Sequence, residues 1–396
     1  MSSREKIGAG TLSVWAGEEQ RPGGRATQVP VVHSVSFGYD DLEQWLEVAQ
    51  GRRPGHIYGR NTNPTVQVFE EKVRRLEGAE AATSAATGMA VISSTLFALL
   101  SPGDRVVSVK DTYGGTSKLF LEFLPRFRVE TTLCDTTDHA AIEARIAEGC
   151  RLLYLESPTN PTVKVIDLAR LADAARARGA VVVVDNTFAT PVNQNPLQLG
   201  ADLVLHSATK FLGGHADALG GVVCGRRDLV EKIYHFREIN GATLHPMAAY
   251  LLLRGMKTLQ LRIDRQNRSA LEIARFLSDH PAVGRVHYPG LPSHPGHDIA
   301  CRQMRGFGGV LSFELKHNTL AAAGRLVSRL RYAHRAANLG AVETIVGPPA
   351  TTSHVECSAE ERAAMGIPEG LIRYSTGIED PQDLIADLAQ ALAAAG

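Results

Sequence analysis

Four consecutive valines, Val181 to Val184, constrain this chain more than any other feature. A β-branched run with no polar position needs apolar cover on both faces, which a parallel sheet flanked by helices provides. The run ends at Asp185, and a second apolar run, Asp202–His206, leads through Ser207 and Thr209 to Lys210. An acid and an amine thus stand at the carboxyl ends of two strands, where open α/β sheets bind their ligands.

Further strands are read at Arg105–Val109, Leu152–Glu156 and Gly221–Cys224, alternating with helical patterns. One helix starts with Asn63 as N-cap and Pro64 in its first turn, carries Val66, Phe69, Val73 and Leu76 on one face, and stops at Gly78. Another is capped by Asp167, turns Leu168, Leu171, Ala172 and Ala175 inward, and ends at Gly179. The first sixty or so residues are broken at Arg21-Pro22-Gly23-Gly24 and Arg53-Pro54-Gly55, with a short periodic run only at Leu42–Val48, and read as an extended arm. Beyond Leu259 come a helix (Arg268–Leu277), an alternating strand (Val310–Leu315), a helix (Leu320–Leu330), a strand (Leu371–Ser375) and a last helix capped by Asp380-Pro381 that runs into an Ala-rich end. The expected division is an arm over 1–62, a large α/β domain with a mostly parallel sheet over 63–258, and a smaller α+β domain over 259–396.

A length of 396 residues accommodates two or three domains, at about 150 residues each. Lys plus Arg and Asp plus Glu both number 42, so no net charge draws the protein to nucleic acid or an anionic membrane, and small molecules are the expected partners. Five widely spaced cysteines without a C-x-x-C pair argue against a disulfide framework or a zinc cluster. Met1–Trp15 has no apolar signal core, and no later run reaches the roughly 18 apolar residues of a membrane span. A cytoplasmic protein is expected.

A lone lysine at a strand end reads as a solvated surface residue. With Asp185, Ser207 and Thr209 around it, Lys210 completes what pyridoxal phosphate requires: an amine to form an imine, a carboxylate for the pyridine nitrogen, and donors for the phosphate. Ala86-Thr87-Gly88-Met89-Ala90 precedes an apolar helix, whose first N–H groups can hold an anion or can simply be capped. Tyr113, in a Tyr-Gly-Gly-Thr turn after a strand, brings a ring to the same sheet edge, to stack on a cofactor or to pack. Arg373 follows a similar choice between a surface ion pair and a planar fork for an amino-acid carboxylate. His287, His294 and His297 lie in a Pro/Gly loop with no completing carboxylate or cysteine, so no metal is expected. Gly306-Phe307-Gly308-Gly309 precedes a strand instead of following one, which argues against a dinucleotide site.

The ordered motifs YGRNTNPT (58–65), ATGMA (86–90), DTYGGT (111–116), LESPTNP (155–161), VDNTFATP (184–191), HSATKFLGGHAD (206–217), LLLRGMKTLQLR (251–262), YPGLPSHPGH (288–297) and LIRYSTGIED (371–380) span nearly the whole chain. In them the chain resembles the pyridoxal-phosphate enzymes of cysteine and methionine metabolism, a family that includes cystathionine γ-synthase, cystathionine γ-lyase, methionine γ-lyase and O-acetylhomoserine sulfhydrylase. The resemblance implies the fold-type I transferase-like fold of such enzymes and a homo-oligomer, a dimer of dimers. It implies that Lys210 forms the imine, Asp185 holds the pyridinium and Tyr113 stacks on the ring. Gly88, Met89, Ser207 and Thr209 would hold the phosphate, joined by Tyr58 and Arg60 from a neighbouring subunit. Asn160 and Arg373 would hold the substrate carboxylate, and Tyr58 or Tyr113 would protonate the leaving group.

Where the family shows Ser before Leu-Gly, preceded by Glu in the enzymes that handle cystathionine, this chain reads Ala337-Asn338-Leu339-Gly340, which makes Asn338 a substrate-facing candidate. His245-Pro246 and His215-Ala216-Asp217 depart from the pattern as well. The leading expectation is γ-elimination on a γ-substituted L-amino acid of the methionine or homoserine-derivative type, through a vinylglycine-type intermediate to 2-oxobutanoate and ammonia. The same intermediate allows γ-replacement by a thiol. A β-lyase releasing pyruvate and a non-catalytic relative are the other readings.

Overall fold

The Asn63-Pro64 signal forms a helix over Pro64–Glu77, the Asn63 side chain accepting from the N–H groups of Thr65 and Val66 and Gly78 closing the end at φ 72°. The chain is described here by a computed structural model covering residues 7–19, 24–355 and 357–393. The Arg21-Pro22-Gly23 break, the first six residues and the last three of the Ala-rich end lie outside the described residues.

Seven strands form the larger sheet: β1 Ala81–Ala85, β2 Arg105–Val109, β3 Glu130–Cys134, β4 Leu152–Glu156, β5 Val181–Asp185, β6 Leu203–Ser207 and β7 Gly221–Gly225. Their order is β1-β7-β6-β5-β4-β2-β3, with β7 antiparallel to both neighbours and the other pairings parallel. Alternate residues of the buried strands feed two apolar layers. Val183, Leu205 and Val223 pack with Ile92, Leu96 and Ile233 of the helices Gly88–Leu99 and Arg227–Asn240. Val182 and Val184 pack on the other face with Ile142 and Leu171 of the helices His139–Ala147 and Leu168–Arg176. Strand order reverses between β2 and β4, which opens the crevice where ligands of such sheets bind.

A second sheet carries β8 Val283–His287, β9 Val310–Leu315, β10 His334–Arg335, β11 Ile345–Gly347 and β12 Ile372–Ser375 in the order β10-β11-β12-β9-β8. Its core is shared with the helices Leu259–Asp279, Leu320–Arg329 and Pro381–Ala393.

Several elements differ from the sequence reading. β6 begins and ends one residue later than expected, at Leu203 and Ser207. β1, AATSA, escaped notice because alanine and hydroxyl residues carry little strand signal, yet pairing with β7 along its length defines it. The helix read at Arg268–Leu277 begins at Leu259, because its first turns bury Arg262 and Gln266 where a periodic pattern expects apolar side chains. The stretch read as extended contains helices at Ala9–Trp15 and Leu42–Ala49. The first is tied down by Lys72, fully buried, which donates to the carbonyls of Ser13 and Val14 and to Glu18 at 2.9–3.0 Å. No helix among the described residues is long and apolar enough to cross a membrane.

Candidate active site

The parallel pairing of β4, β5 and β6 sets Glu156 beside Asp185, and both open with Ser207 and Lys210 onto one cavity of about 800 Å³ at the carboxyl edge of the sheet. Thr87, Gly88 and Met89 from the start of a helix line it, with Tyr113, Asn160, Asn338 and Arg373. Lys210 lies in a turn closed by its N–H to the Ser207 carbonyl, 3.1 Å. Buried Arg262 fixes the next residues by donating to the carbonyls of Phe211 and Leu212 at 2.8 and 3.2 Å. Lys210 Nζ donates to Asn338 Oδ1 at 2.6 Å. Burial, helped by the nearby Arg373 charge, brings this amine down to about 8, so a neutral, nucleophilic lysine is accessible near neutral pH.

Asp185 Oδ1 accepts from the Thr187 N–H at 3.0 Å and Oδ2 from the Tyr154 hydroxyl at 3.5 Å. Burial raises its pKa, against the pull of the Thr187 bonds. Glu156 is pushed well up, first by burial and then by the Asp185 charge. Two buried carboxyls side by side, neither in an ion pair with a described residue, form a place that favours a cation. A protonated pyridine nitrogen is such a cation.

At the other end, the Thr87 hydroxyl and carbonyl take the N–H groups of Ala90 and Val91 at 3.0 and 3.1 Å, leaving those of Gly88 and Met89 open at the helix start. A Cβ on Gly88 would lie 2.8 Å from Ser207 Cβ and Oγ, so only glycine lets the helix approach β6 this closely. The two hydroxyls named from sequence differ. Ser207 Oγ has no bond to a described residue, whereas Thr209 Oγ1 accepts from the Gly220 N–H at 3.0 Å and donates to its carbonyl at 3.3 Å. The residues present fit pyridoxal phosphate: an amine, a buried acid pair for the ring nitrogen, and open N–H groups beside a free hydroxyl for the phosphate.

Arg373 is buried on β12 and donates to Asn160 Oδ1 and to the Asn338 carbonyl, both at 3.0 Å. Its remaining N–H groups are free to fork onto a carboxylate. Burial brings it down to about 10, so it stays charged at neutral pH. Tyr113 sits at the mouth, 45% exposed, its N–H anchored on Glu156 Oε2 at 2.9 Å. Tyr58 and Arg60 are not brought to the cavity of their own chain. The Arg60 guanidinium lies over the Tyr58 ring, 5.6 Å from its centroid, and donates to the Glu238 carbonyl.

Sequence reasoning missed Glu156, Thr187 and His354 as lining residues. Glu156 carried the same signal as Asp185, an acid closing an apolar strand, whereas His354 stands in a loop with no pattern around it. Among the described residues no group of three or more His, Cys, Asp or Glu side chains is placed to hold a metal ion.

A model of the Cys/Met metabolism PLP-dependent enzyme family matches residues 10–393. The chain is 41% identical over 391 residues to an L-methionine γ-lyase of Fusobacterium nucleatum subsp. polymorphum, covering 98% of each chain. It is 42% identical over 384 residues to an O-succinylhomoserine sulfhydrylase of Pseudomonas aeruginosa, covering 97% of this chain and 95% of that one. The crystal structure of cystathionine γ-synthase from Xanthomonas oryzae pv. oryzae in complex with cystathionine superposes with a TM-score of 0.93 at 38% identity, covering 98% of this chain and 99% of the other.

Proposed function

The chain belongs to the pyridoxal-phosphate-dependent enzymes of cysteine and methionine metabolism, and from that premise we propose that it eliminates the γ-substituent of an L-amino acid of the methionine or homoserine-derivative type, yielding 2-oxobutanoate and ammonia. It is an enzyme acting on carbon–sulfur or carbon–oxygen bonds, and its cofactor is pyridoxal 5′-phosphate. The cofactor supplies an electron-accepting ring conjugated to the substrate Cα. In this reading Asp185, with Glu156 beside it, would hold the ring nitrogen. The Gly88 and Met89 N–H groups and the Ser207 hydroxyl hold the phosphate. Arg373, steadied by Asn160, forks onto the substrate carboxylate. Lys210 Nζ, beside the Asn338 amide, takes the Cα proton and moves protons at Cβ. Tyr113 at the mouth donates to the departing γ-atom.

One observation carries the substrate class. Ala337 and Asn338 run along the cavity wall between Lys210 and Arg373, and among the described residues the lining carboxylates are engaged. Glu156 and Asp185 serve the cofactor end, Glu122 pairs with Lys118 at 3.9 Å, and Glu361 accepts the Ser358 N–H at 2.7 Å in a capping box. A substituent ending in its own ammonium and carboxylate therefore finds no ready acidic partner among the described residues, and burying it unpaired costs binding. The kcat/KM for cystathionine is expected to fall at least about tenfold below that of the best compact substrate among methionine, O-acetylhomoserine and canavanine. Assays of 2-oxobutanoate release decide it, and cystathionine ranking first defeats the argument. The likeness to O-succinylhomoserine sulfhydrylase favours γ-replacement as the second reading. The same panel with an added thiol separates the two: a thioether product that suppresses 2-oxobutanoate identifies replacement.

Tyr58 and Arg60, away from their own cavity, are proposed to complete the phosphate site of a neighbouring copy, within a dimer of dimers. Hybrids of inactive Arg60→Ala and inactive Lys210→Ala subunits should then regain activity, because one of the two sites in a mixed pair holds both native residues. Verified hybrids with no regained activity would overturn the shared site.

A further inference from the structure

His354 is 2% exposed, yet it lines the active-site cavity, and its Nε2 has no hydrogen-bond partner among the described residues. Leaving a buried ring nitrogen unpaired is costly, so an orphan on a residue that lines a ligand cavity points to a partner that arrives with the ligand. The ring is held from behind. The ring Nδ1 lies 3.0 Å from Ser353 Oγ, the His354 backbone N–H donates to the Pro349 carbonyl at 2.9 Å, and Arg362 donates to the His354 backbone carbonyl at 3.4 Å. The segment also abuts the turn after Tyr113, where a Cβ on Gly114 would come within 3.1 Å of the Ser353 carbonyl. His354 and Arg373 line the same cavity, and the Arg373 charge acts on the imidazole.

We propose that His354 is a second recognition residue for the substrate α-carboxylate, donating from Nε2 to the carboxylate held by Arg373 while the Ser353 hydroxyl donates to Nδ1. This chain of bonds fixes the Nε2–H tautomer and satisfies both ring nitrogens. Burial, with the charges of Arg373 and Arg362 nearby, brings the imidazole down to about 4. Arg362 is itself paired with Glu369 at 2.5 Å. A neutral ring adds a donor without a further charge, so carboxylate and Arg373 still balance. The same neutrality argues against His354 as the acid that protonates the leaving group, since a neutral imidazole has no readily released proton near pH 7.

The proposal rests on the carboxylate being held at Arg373, and the test separates the two ideas. The holoenzyme is titrated with L-norvaline, which lacks a γ-leaving group, and with n-butylamine, the same chain without the carboxylate, following the visible band of the cofactor. His354→Phe is expected to weaken L-norvaline by about tenfold to a hundredfold and to leave n-butylamine within about twofold. His354→Gln, which keeps a donor, should recover most of the loss. In turnover the effect should fall on KM with kcat little changed. Equal weakening of both ligands, or none, overturns the assignment. Should His354→Phe not fold, Ser353→Ala takes its place, with a loss of about threefold or more confined to L-norvaline and no loss overturning it. Arg373→Lys is the control: if it does not discriminate the two ligands either, the carboxylate site itself is misplaced.

Discussion

Lys210→Ala is expected to fold and yet lose turnover by about 10³-fold or more, because the variant lacks both the anchoring amine and the group that moves the Cα proton. The wild-type protein should be yellow when loaded and the variant should lose the lysine-dependent band. Purified protein, its absorption spectrum and steady-state 2-oxobutanoate release check this, and retained turnover would remove Lys210 from the mechanism. The lowered pKa adds a pH dependence. Only the neutral amine attacks a carbonyl, so the rate at which cofactor-free protein takes up pyridoxal phosphate should rise with pH and level off above about 8. A rate that keeps rising to pH 10 would mean that the amine is not depressed.

Asp185→Asn should cost about 10² to 10³ in kcat, since an amide is isosteric but carries no charge to keep the ring nitrogen protonated. Stability should move the other way in the cofactor-free protein. Burial raises the Asp185 pKa, so its ionisation opposes folding once the pH exceeds the unfolded-state value of about 4. The variant should therefore be as stable as wild type below that pH and more stable at neutral pH, where the buried charge is relieved. Thermal melts of both proteins at pH 4 and 7 test the sign. Near wild-type turnover in Asp185→Asn would assign the ring nitrogen to another group, with Glu156, its neighbour across the strand pair, first in line.

The valine run and the residues closing each strand were enough to read a helix-covered parallel sheet and the ligand edge on which Asp185, Lys210 and Ser207 lie. Burial on both faces and position at a strand end are local consequences of composition and chain direction, so a single segment suffices to infer them. The helix caps at Asn63 and Asp167 were legible for the same reason. What the sequence could not supply were relations between distant segments. That Asn338 meets Lys210, that Asn160 and the Asn338 carbonyl steady Arg373, and that Glu156 stands beside Asp185 depend on strand register and on how the second sheet meets the first. β1 and the early turns of the helix at Leu259–Asp279 were hidden because their neighbours, not their own periodicity, stabilise them. Local signals fixed which chemical groups reach the sheet edge. Tertiary contacts decided which are already satisfied, as Thr209 is by Gly220, and which are left without a partner among the described residues, as Ser207 Oγ and His354 Nε2 are, because hydrogen-bond satisfaction and desolvation belong to surroundings assembled from far along the chain.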